Sequence, residues 1–391
     1  MSRRPGTPRL LRQLNDRAAL ELLLSIGPLT RAELGERTGL SKVTAGQLLS
    51  RLEERGLVGV VGEQAGGRGP NAALYGVVPS CAYVAGLEVL PDSVTAAVAD
   101  ITGKIVAEVM VDPTSHHDPV KIVHRSVQRA CESADVTMSQ LRSFVIGTRG
   151  VVDPRSGDVR FSFDLPAWHE GVLADLRTSL KASVRIENDV NLAAMAERSY
   201  GAAVAAEDFV LVWAGVGQGL GVMLGGRLHR GLTGGAGEIG WLPVPGEPLP
   251  VNVRAPQSGS FQRLVGSEAI AGLAELHGLT AEITDSVERL VRNAVDRGAT
   301  AFLNDLADRL AVGVAAVAVV LDPGLIVLSG DIGRAGGPAL AARVEEAVAR
   351  VCPSQPRVVV TEVTGNPVLR GAVMAAVEQA REELFDRTVG P

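Results

Sequence analysis

The side chains best suited to bind or react with a ligand fall between residues 185 and 240. Arg185-Ile-Glu-Asn-Asp-Val-Asn191 places carboxylates beside an amide, and glycine-rich runs follow at 215–219, 225–231 and 234–240, the last with Glu238. A carboxylate can take a proton from an attacking hydroxyl, or it can join an amide in binding the hydroxyls of a ligand. Taken alone, Glu187-Asn188-Asp189 is equally typical of a helix N-cap with acidic groups near the helix dipole.

The order and spacing of these runs resemble the successive signatures of the ROK family, which contains repressors and sugar kinases. The resemblance covers about residues 80–385. It implies an actin-like, sugar-kinase-type fold with a hexose in the cleft between two lobes. In the kinases of this family, the Asp at the position of Asp189 takes the proton from the sugar hydroxyl that attacks ATP. The resemblance also implies ligand contacts at Gly150, Asn188, Asp189 and Glu238.

The two runs that would hold ATP depart from the family pattern. Kinases carry Gly-x-Asp-x-Gly-Gly-Thr-Lys, whereas this chain has Gly86-Leu-Glu-Val-Leu-Pro-Asp-Ser93, in which Leu90 and Pro91 replace two glycines. Pro91 lacks an N–H donor, and Asp92 is expected to put a negative charge where phosphate would lie. The second run, Trp213-Ala-Gly-Val-Gly217, has lost a glycine and a threonine hydroxyl. We therefore expect no enzymatic activity and no cofactor, with Asp189 as a vestigial base.

The other side of the expected pocket departs as well. Trp241 stands where the family usually has a histidine that serves both sugar and a structural zinc. The stretch from Leu242 to Gln262 contains no Cys or His, and zinc requires about four N or S ligands, so we expect no metal site. Trp241 is either a core aromatic or a flat surface for a pyranose ring. Gln262 falls roughly where a sugar-binding Glu would lie and offers weaker, uncharged hydrogen bonds.

The segment before this region predicts a winged helix-turn-helix. Apolar residues at helical spacing end near Gly27-Pro28, and Thr30 and Glu33 have the capping-box spacing. Ser41 caps a helix over about 41–54, and two strands around 56–61 and 73–78 enclose a glycine-rich wing. The alternative is a small helical bundle with a hairpin and no role in DNA binding.

The helix at 41–54 is expected to turn Val43, Leu48 and Leu52 inward and to present its polar side to the DNA major groove. The wing is expected to enter the minor groove. The predicted DNA-binding residues are Ser41, Lys42, Thr44, Gln47 and Arg51 on the helix and Arg68 in the wing.

From residue 81 onward, strand-like and helix-like segments alternate, which indicates an α/β body. The predicted fold is an N-terminal winged helix domain followed by a two-lobed, actin-like ROK body of the sugar kinase and ribonuclease H type. The expected boundaries are 1–78 for the winged helix domain, 79–190 for a small lobe completed by a C-terminal helix at 367–391, and 191–366 for a large lobe.

Charge and hydropathy limit the possible partners. The 391-residue chain has a net charge of −6, yet residues 1–78 carry 11 basic and 7 acidic side chains against 27 and 37 in the remainder. A basic N-terminal segment favours contact with DNA. The longest uncharged apolar run, residues 310–321, is shorter than the roughly 20 residues of a membrane span. With no secretory signal and only three cysteines, we expect a cytoplasmic protein without a membrane partner or disulfide framework.

These patterns predict a transcriptional regulator, specifically a repressor, whose catalytically inactive body senses a carbohydrate or sugar phosphate. Since palindromic operators require two-fold proteins, we expect a homodimer or a dimer of dimers on operator DNA. Two alternatives remain open at this stage: an ATP-dependent hexose kinase with an appended DNA-binding domain, and an orphan regulator controlled by a protein partner.

Overall fold

The computed structural model describes residues 8–65, 71–113, 118–162, 165, 167–252, 259–279 and 286–387. These residues form a three-stranded N-terminal sheet, two five-stranded sheets, a two-stranded ribbon and the helices that pack on them. The fold is therefore the mixed α/β arrangement expected from the sequence.

The N-terminal domain, called the head below, is a helix-turn-helix followed by a hairpin. Its caps are the predicted ones: Thr30 and Glu33 form a reciprocal capping box, and the Ser41 hydroxyl accepts from the N–H of Thr44. Gly39 ends the second helix with a φ of 71°, a left-handed conformation that suits glycine. The head contains α1 (Pro8–Ile26), β1 (Leu29–Thr30), α2 (Arg31–Thr38), α3 (Lys42–Glu54), β2 (Val58–Gln64) and β3 (Ala72–Val77).

The inward face of α3 differs from the prediction at one residue. Val43 is 70% exposed, so the expectation that it faces the core is wrong. Because Val43 lies five residues before Leu48, it projects from a different face of the 3.6-residue helix. The buried face instead comprises Ala45, Leu48, Leu49 and Leu52.

The first lobe of the body is built on a sheet with the strand order β10-β7-β4-β5-β6, in which β4, β7 and β10 are parallel. Helices α4 and α5 cover one face and bury aliphatic side chains and Phe144 against it. The elements are β4 (Tyr83–Val89), β5 (Val94–Asp100), β6 (Ile105–Val111), α4 (Pro119–Ala134), β7 (Leu141–Thr148), β8 (Val151–Val152), β9 (Val159–Phe161), α5 (Val172–Leu180) and β10 (Ser183–Asn188).

The second lobe repeats this arrangement, with the strand order β13-β12-β11-β14-β15. In both sheets three antiparallel strands are followed by two parallel ones. The elements are α6 (Asp189–Tyr200), β11 (Phe209–Ala214), β12 (Gln218–Leu224), β13 (Arg227–Leu228), α7 (Phe261–Val265), α8 (Ser267–Leu276), α9 (Val287–Asp296), α10 (Thr300–Leu321), β14 (Leu325–Ser329), α11 (Gly330–Val351), β15 (Arg357–Val360) and α12 (Pro367–Arg387).

Two helices join the lobes. Helix α6 packs Leu192 into the first lobe and Ala193 and Ala194 into the second. Helix α12, although last in the chain, packs on the first sheet and crosses α6 at Gly371, where an added Cβ would lie 2.0 Å from the carbonyl oxygen of Leu192. Gly86 of β4 likewise admits α12, since its Cβ would lie 2.7 Å from the N atom of Val373. The backbones therefore meet at positions that only glycine permits.

Helix α11 is the largest element that sequence reasoning missed. Its helical pattern is interrupted by Gly336, Gly337 and Pro338, and the chain kinks at Gly337, where φ is 55°. Within the described residues, no helix is both long and apolar enough to cross a membrane.

Candidate functional site

A cavity of about 660 Å³ lies between the two five-stranded sheets. The first lobe contributes the ends of β4 and β7 and the turn from β10 into α6. The second lobe contributes the β11–β12 loop, the loop at 234–241 and the start of α11. The start of α12 completes the wall. All six ligand-binding residues predicted from sequence, one of which is the vestigial base Asp189, lie on this wall: Gly150, Asn188, Asp189, Glu238, Trp241 and Gln262.

The turn from β10 into α6 serves both as a helix cap and as part of the cavity wall. The Asn188 side chain accepts from the N–H of Asn191 at 3.1 Å and donates to the carbonyl oxygen of Gly150 at 3.1 Å. Gly150 has a φ of 108°, and a Cβ there would lie 2.1 Å from the carbonyl oxygen of Phe161. The two predicted residues are therefore joined by a direct hydrogen bond, which glycine at 150 makes possible.

Asp189 is the carboxylate whose environment is most altered. Burial raises the pKa of Asp189 to about 7, while the hydrogen bond from the N–H of Val190 and the charge of Arg149 oppose the rise. The nearby negative charges of Glu88 and Glu238 raise the pKa of Asp189 further. Burial also raises the pKa of both of those glutamates. The cavity thus concentrates three partly desolvated carboxyl groups with one arginine close to them. Sequence reasoning did not single out Arg149, because an isolated basic residue in a loop carries no signal of its own.

Glu187 forms a buried ion-pair network behind Asp189. Its side chain contacts Arg185 at 2.5 Å and Arg230 at 2.7 Å, and it accepts from the Asn191 amide at 3.0 Å. Burial alone would raise the pKa of Glu187, but the two guanidinium groups outweigh it and leave that pKa lowered. Because Arg230 follows β13 in the second lobe, the pair connects the two lobes beside the cavity.

Glu238 and Trp241 lie together on the opposite wall. A hydrogen bond from the Trp241 side chain opposes the burial that raises the pKa of Glu238. Trp241 is partly exposed to the cavity, so it is not a fully buried core aromatic. In the position of the family histidine, the indole both shapes the wall and orients the neighbouring carboxylate.

Gln262 has a structural role that was not predicted from the sequence. Its Oε1 accepts from the N–H of Gln218 at 3.0 Å, and its Nε2 donates to the carbonyl oxygen of Val216 at 2.9 Å. The amide therefore holds the β11–β12 loop in place from the cavity wall. A direct contact between Gln262 and a ligand stays a prediction.

The half of the cavity where the family resemblance places ATP is altered by a bulky aromatic. The indole of Trp213 lies over Gly215, with Nε1 3.1 Å from where a Cβ on that glycine would be, and it lines the cavity. Leu90 also lines the cavity. Asp92 is exposed on the β4–β5 turn and is not among the residues that line the cavity, so a negative charge from Asp92 at the phosphate position stays a prediction. The carboxylate that does line this half is Asp331, at the start of α11.

These residues do not fit the groups that the family resemblance would imply. A triphosphate binds to exposed backbone N–H groups of glycine-rich loops, whereas here Leu90 and Pro91 replace two glycines of the first run and the Trp213 indole lies against Gly215 in the second. A structural zinc needs N or S ligands, but a tryptophan replaces the histidine and residues 242–262 contain no Cys or His.

The head presents the predicted polar face of α3. Lys42, Gln47 and Arg51 line one shallow groove on the described surface, together with Arg31 and Ser50, which sequence reasoning did not select. Ser41 and Thr44 form the N-cap, and their hydroxyls lie 2.9 Å apart. Arg68 lies outside the described residues. A role for these side chains in DNA binding stays a prediction.

Arg51 is held by a partner within the head. Its Nη2 donates to Asp16 Oδ1 at 2.6 Å, and the Asp16 side chain is only 9% exposed. Asp16 lies on α1, 35 residues before Arg51, and this separation hides the pair from any local pattern. Arg51 therefore ties α3 to α1 as well as lining the groove.

Helix α12 runs from the cavity to the head. At its start, Pro367 lines the cavity and the Asn366 amide donates to the carboxylate of Glu88. At its end, Phe385 is 6% exposed and belongs to the hydrophobic core of the head. The guanidinium carbon of Arg17 on α1 lies 5.1 Å from the centroid of the Phe385 ring. One helix of 21 residues therefore contacts both candidate sites.

Comparisons with known proteins agree with both parts of this architecture. The ROK family model matches residues 84–379, and a MarR family model matches residues 13–69. The DNA-binding transcriptional dual regulator NagC of Escherichia coli is 24% identical over 338 residues, which cover 84% of this chain and 82% of NagC.

Solved structures share the fold. A ROK family transcriptional regulator described as a homologue of the Escherichia coli MLC protein superposes with a TM-score of 0.76 over 97% of this chain and 99% of its own, at 18% identity. A ROK hexokinase from Thermus thermophilus superposes with a TM-score of 0.62 over 77% of this chain and 99% of its own, at 25% identity. The regulator therefore matches head and body together, whereas the kinase matches a length close to that of the body.

Proposed function

The chain belongs to the ROK family, and from this premise we propose that it is a transcriptional repressor whose body binds a carbohydrate or a sugar phosphate without phosphorylating it. One observation carries the proposal. The cavity that contains Asn188, Asp189 and Glu238 is also lined by Trp213, whose indole lies against Gly215 of the loop expected to bind phosphate. Groups that can bind hydroxyls are thus combined with a phosphate loop that departs from the kinase pattern.

The carboxyl groups can bind a sugar without doing chemistry. A group with a pKa of about 7, such as Asp189, exists in both protonation states near neutral pH, so it can donate to or accept from a hydroxyl. Phosphoryl transfer would also require a phosphate held in line with that hydroxyl. Because Leu90 and Trp213 offer no such grip, Asp189 acts in this proposal as a ligand contact.

The head is proposed to read operator DNA. The match to the MarR family, the similarity to NagC and the exposed polar groove on α3 all support this role. In a helix-turn-helix, the outer face of the second helix enters the major groove, where Gln47 can bind base edges and Lys42 can bind phosphate.

Signal transfer is proposed to pass through α12. A ligand that binds in the cavity and displaces Glu88 or Asn366 acts on the start of this helix, while Phe385 at its other end is packed in the head. The ligand can weaken operator binding only through a difference in its affinity for the two positions of the head.

We propose a homodimer or a dimer of dimers, because a palindromic operator requires two heads related by two-fold symmetry. We also propose the division into 1–78, 79–190 with 367–391, and 191–366. The boundary at 190 falls within α6, whose residues pack into both lobes.

The test begins with genome-wide mapping of the sites that the protein occupies. A duplex from such a site is then titrated with the full-length protein, with and without hexoses, pentoses and their phosphates. We expect at least one sugar to weaken binding about 5- to 150-fold, the usual range of allosteric coupling.

A parallel assay measures ADP release from ATP in the presence of the same sugars, and we expect none. Sugar-dependent ADP release that is lost in Asp189→Asn would instead establish the kinase alternative. Intact operator binding without a calorimetric signal from any sugar would support control by a protein partner.

A further inference from the structure

The part of the cavity around Trp213 contains a second set of groups suited to a carbohydrate. We propose that this half, lined by Trp213, Val216, Asp331 and Arg334, is a second saccharide subsite, so that the effector is a disaccharide with one ring in each half. The inference rests on the proposed function, since it assigns the class of ligand to the same site.

Two of the three tryptophans in the chain, Trp213 and Trp241, line this one cavity. The third, Trp168, is 5% exposed and packs in the core of the first lobe. A flat indole surface is a favourable partner for the apolar face of a pyranose ring. Each half therefore has its own stacking surface.

The polar groups in the second half suit neutral hydroxyls. Asp331 and Arg334 lie one helical turn apart at the start of α11, and Arg334 Nη1 donates to the carbonyl oxygen of Gly365 at 3.1 Å. Asp331 also lies close enough to Glu88 for its charge to help raise the pKa of that glutamate, after the larger effect of burial. The carboxyl groups of Asp331 and Glu88 can accept hydrogen bonds from hydroxyls, and the Arg334 guanidinium can donate to them.

The loop beneath the proposed second ring is held in a fixed shape. Gln262 bonds Val216 of the β11–β12 loop and Gln218 at the start of β12, and the Trp213 indole lies against Gly215 of that loop. Val216 is 64% exposed and lines the cavity, as Trp213 does. This loop thus adds apolar surface against which a ring can pack.

The size of the cavity also favours two rings. Its volume of about 660 Å³ lies within the range of pockets that enclose drug-sized ligands, roughly 300–1,000 Å³. A single hexose is smaller than such a ligand and would leave the Trp213 half uncovered. A disaccharide spans both tryptophans.

The test is calorimetric titration of the full-length protein with glucose, xylose, maltose, cellobiose, lactose and sucrose. We expect at least one disaccharide to bind at least about tenfold more tightly than a monosaccharide. In Trp213→Ala this advantage should fall below about threefold, because disaccharide affinity should fall more than monosaccharide affinity. Trp213→Phe retains an aromatic ring and should retain most of the advantage, and Trp168→Phe serves as the control for an aromatic change outside the cavity.

Three results would overturn the subsite. Monosaccharides and disaccharides would bind with equal affinity in the wild-type protein, or Trp213→Ala would weaken both by the same factor, or an ATP analogue with magnesium would compete with the disaccharide. In each of these cases sugar-responsive operator binding would survive, so the proposed function would stand without the subsite. Absence of heat from every sugar would count against the proposed function and the subsite together.

Discussion

Phe385→Ala should separate sugar binding from operator release, because Phe385 is the residue of α12 that is buried in the head. Its ring is 6% exposed within the hydrophobic core of the head, and it lies 5.1 Å from the guanidinium of Arg17. Truncation of a buried Phe to Ala costs about 3–5 kcal/mol, and loss of the cation–π contact adds about 0.5–1 kcal/mol. We take the lower end, about 3 kcal/mol, since the end of a helix can relax into the space.

A loss of about 3 kcal/mol lowers the equilibrium constant for docking the helix end into the head by roughly two orders of magnitude. The variant should therefore bind operator DNA with an affinity that no longer depends on the sugar that releases the wild-type protein. Binding of that sugar itself should be unchanged, because Phe385 lies at the opposite end of α12 from the cavity. Fluorescence anisotropy with a labelled operator measures the first quantity, and calorimetry measures the second.

Two controls distinguish loss of coupling from general damage to the head. Leu23→Ala removes a side chain that is 4% exposed in the same core but lies on α1, so it should lower the stability of the head and preserve the ratio of operator affinities with and without sugar. Phe385→Leu keeps most of the apolar volume and should retain part of the response. If Phe385→Ala responded to sugar as the wild type does, the role assigned to α12 would be refuted.

Two other variants test the cavity and the head. Asp189 has a pKa raised from 3.8 to about 7 in the folded protein, so the folded state binds this proton more tightly than the unfolded state, and stability falls as pH rises from about 4 to 7. Asp189→Asn should remove this dependence on pH, so its free energy of unfolding relative to the wild type should be up to about 2 kcal/mol higher at pH 8 than at pH 4, after allowance for solvent contact. Urea unfolding of both proteins at the two pH values measures this difference. Asp92→Asn on the exposed turn is the control. In the head, Lys42→Ala should lower the salt dependence of operator binding by about one unit of slope, as expected for a lost phosphate contact. Arg51→Ala should instead lower the melting temperature by removing the pair with Asp16, and equal salt slopes for Lys42→Ala and the wild type would exclude the phosphate contact.

Local signals were sufficient for much of the fold. The capping box at Thr30 and Glu33, the cap at Ser41 and the glycine at 39 place both helices of the head, because a cap needs only neighbours along the chain. The order of the glycine-rich runs likewise indicated the family, and the resemblance suggested six candidate ligand-binding residues; all six line the cavity, and their contact with a ligand stays a prediction.

Other features could be seen only in the tertiary structure, since their partners lie far apart in sequence. Arg51 pairs with a residue 35 positions away, Glu187 with one 43 positions away, and Asn366 with Glu88 across 278 positions. No periodicity or spacing rule reports such contacts, because they depend on how helices and strands pack.

The sequence by itself determined that a glycine loop had been altered at Trp213, since the substitution is visible in the motif. Only the tertiary structure decided where the indole goes: it lies over Gly215 and faces the same cavity as Asp189 and Trp241. A side chain is directed by the backbone geometry of its strand and by the neighbours it packs against, and both are set by the folded protein as a whole.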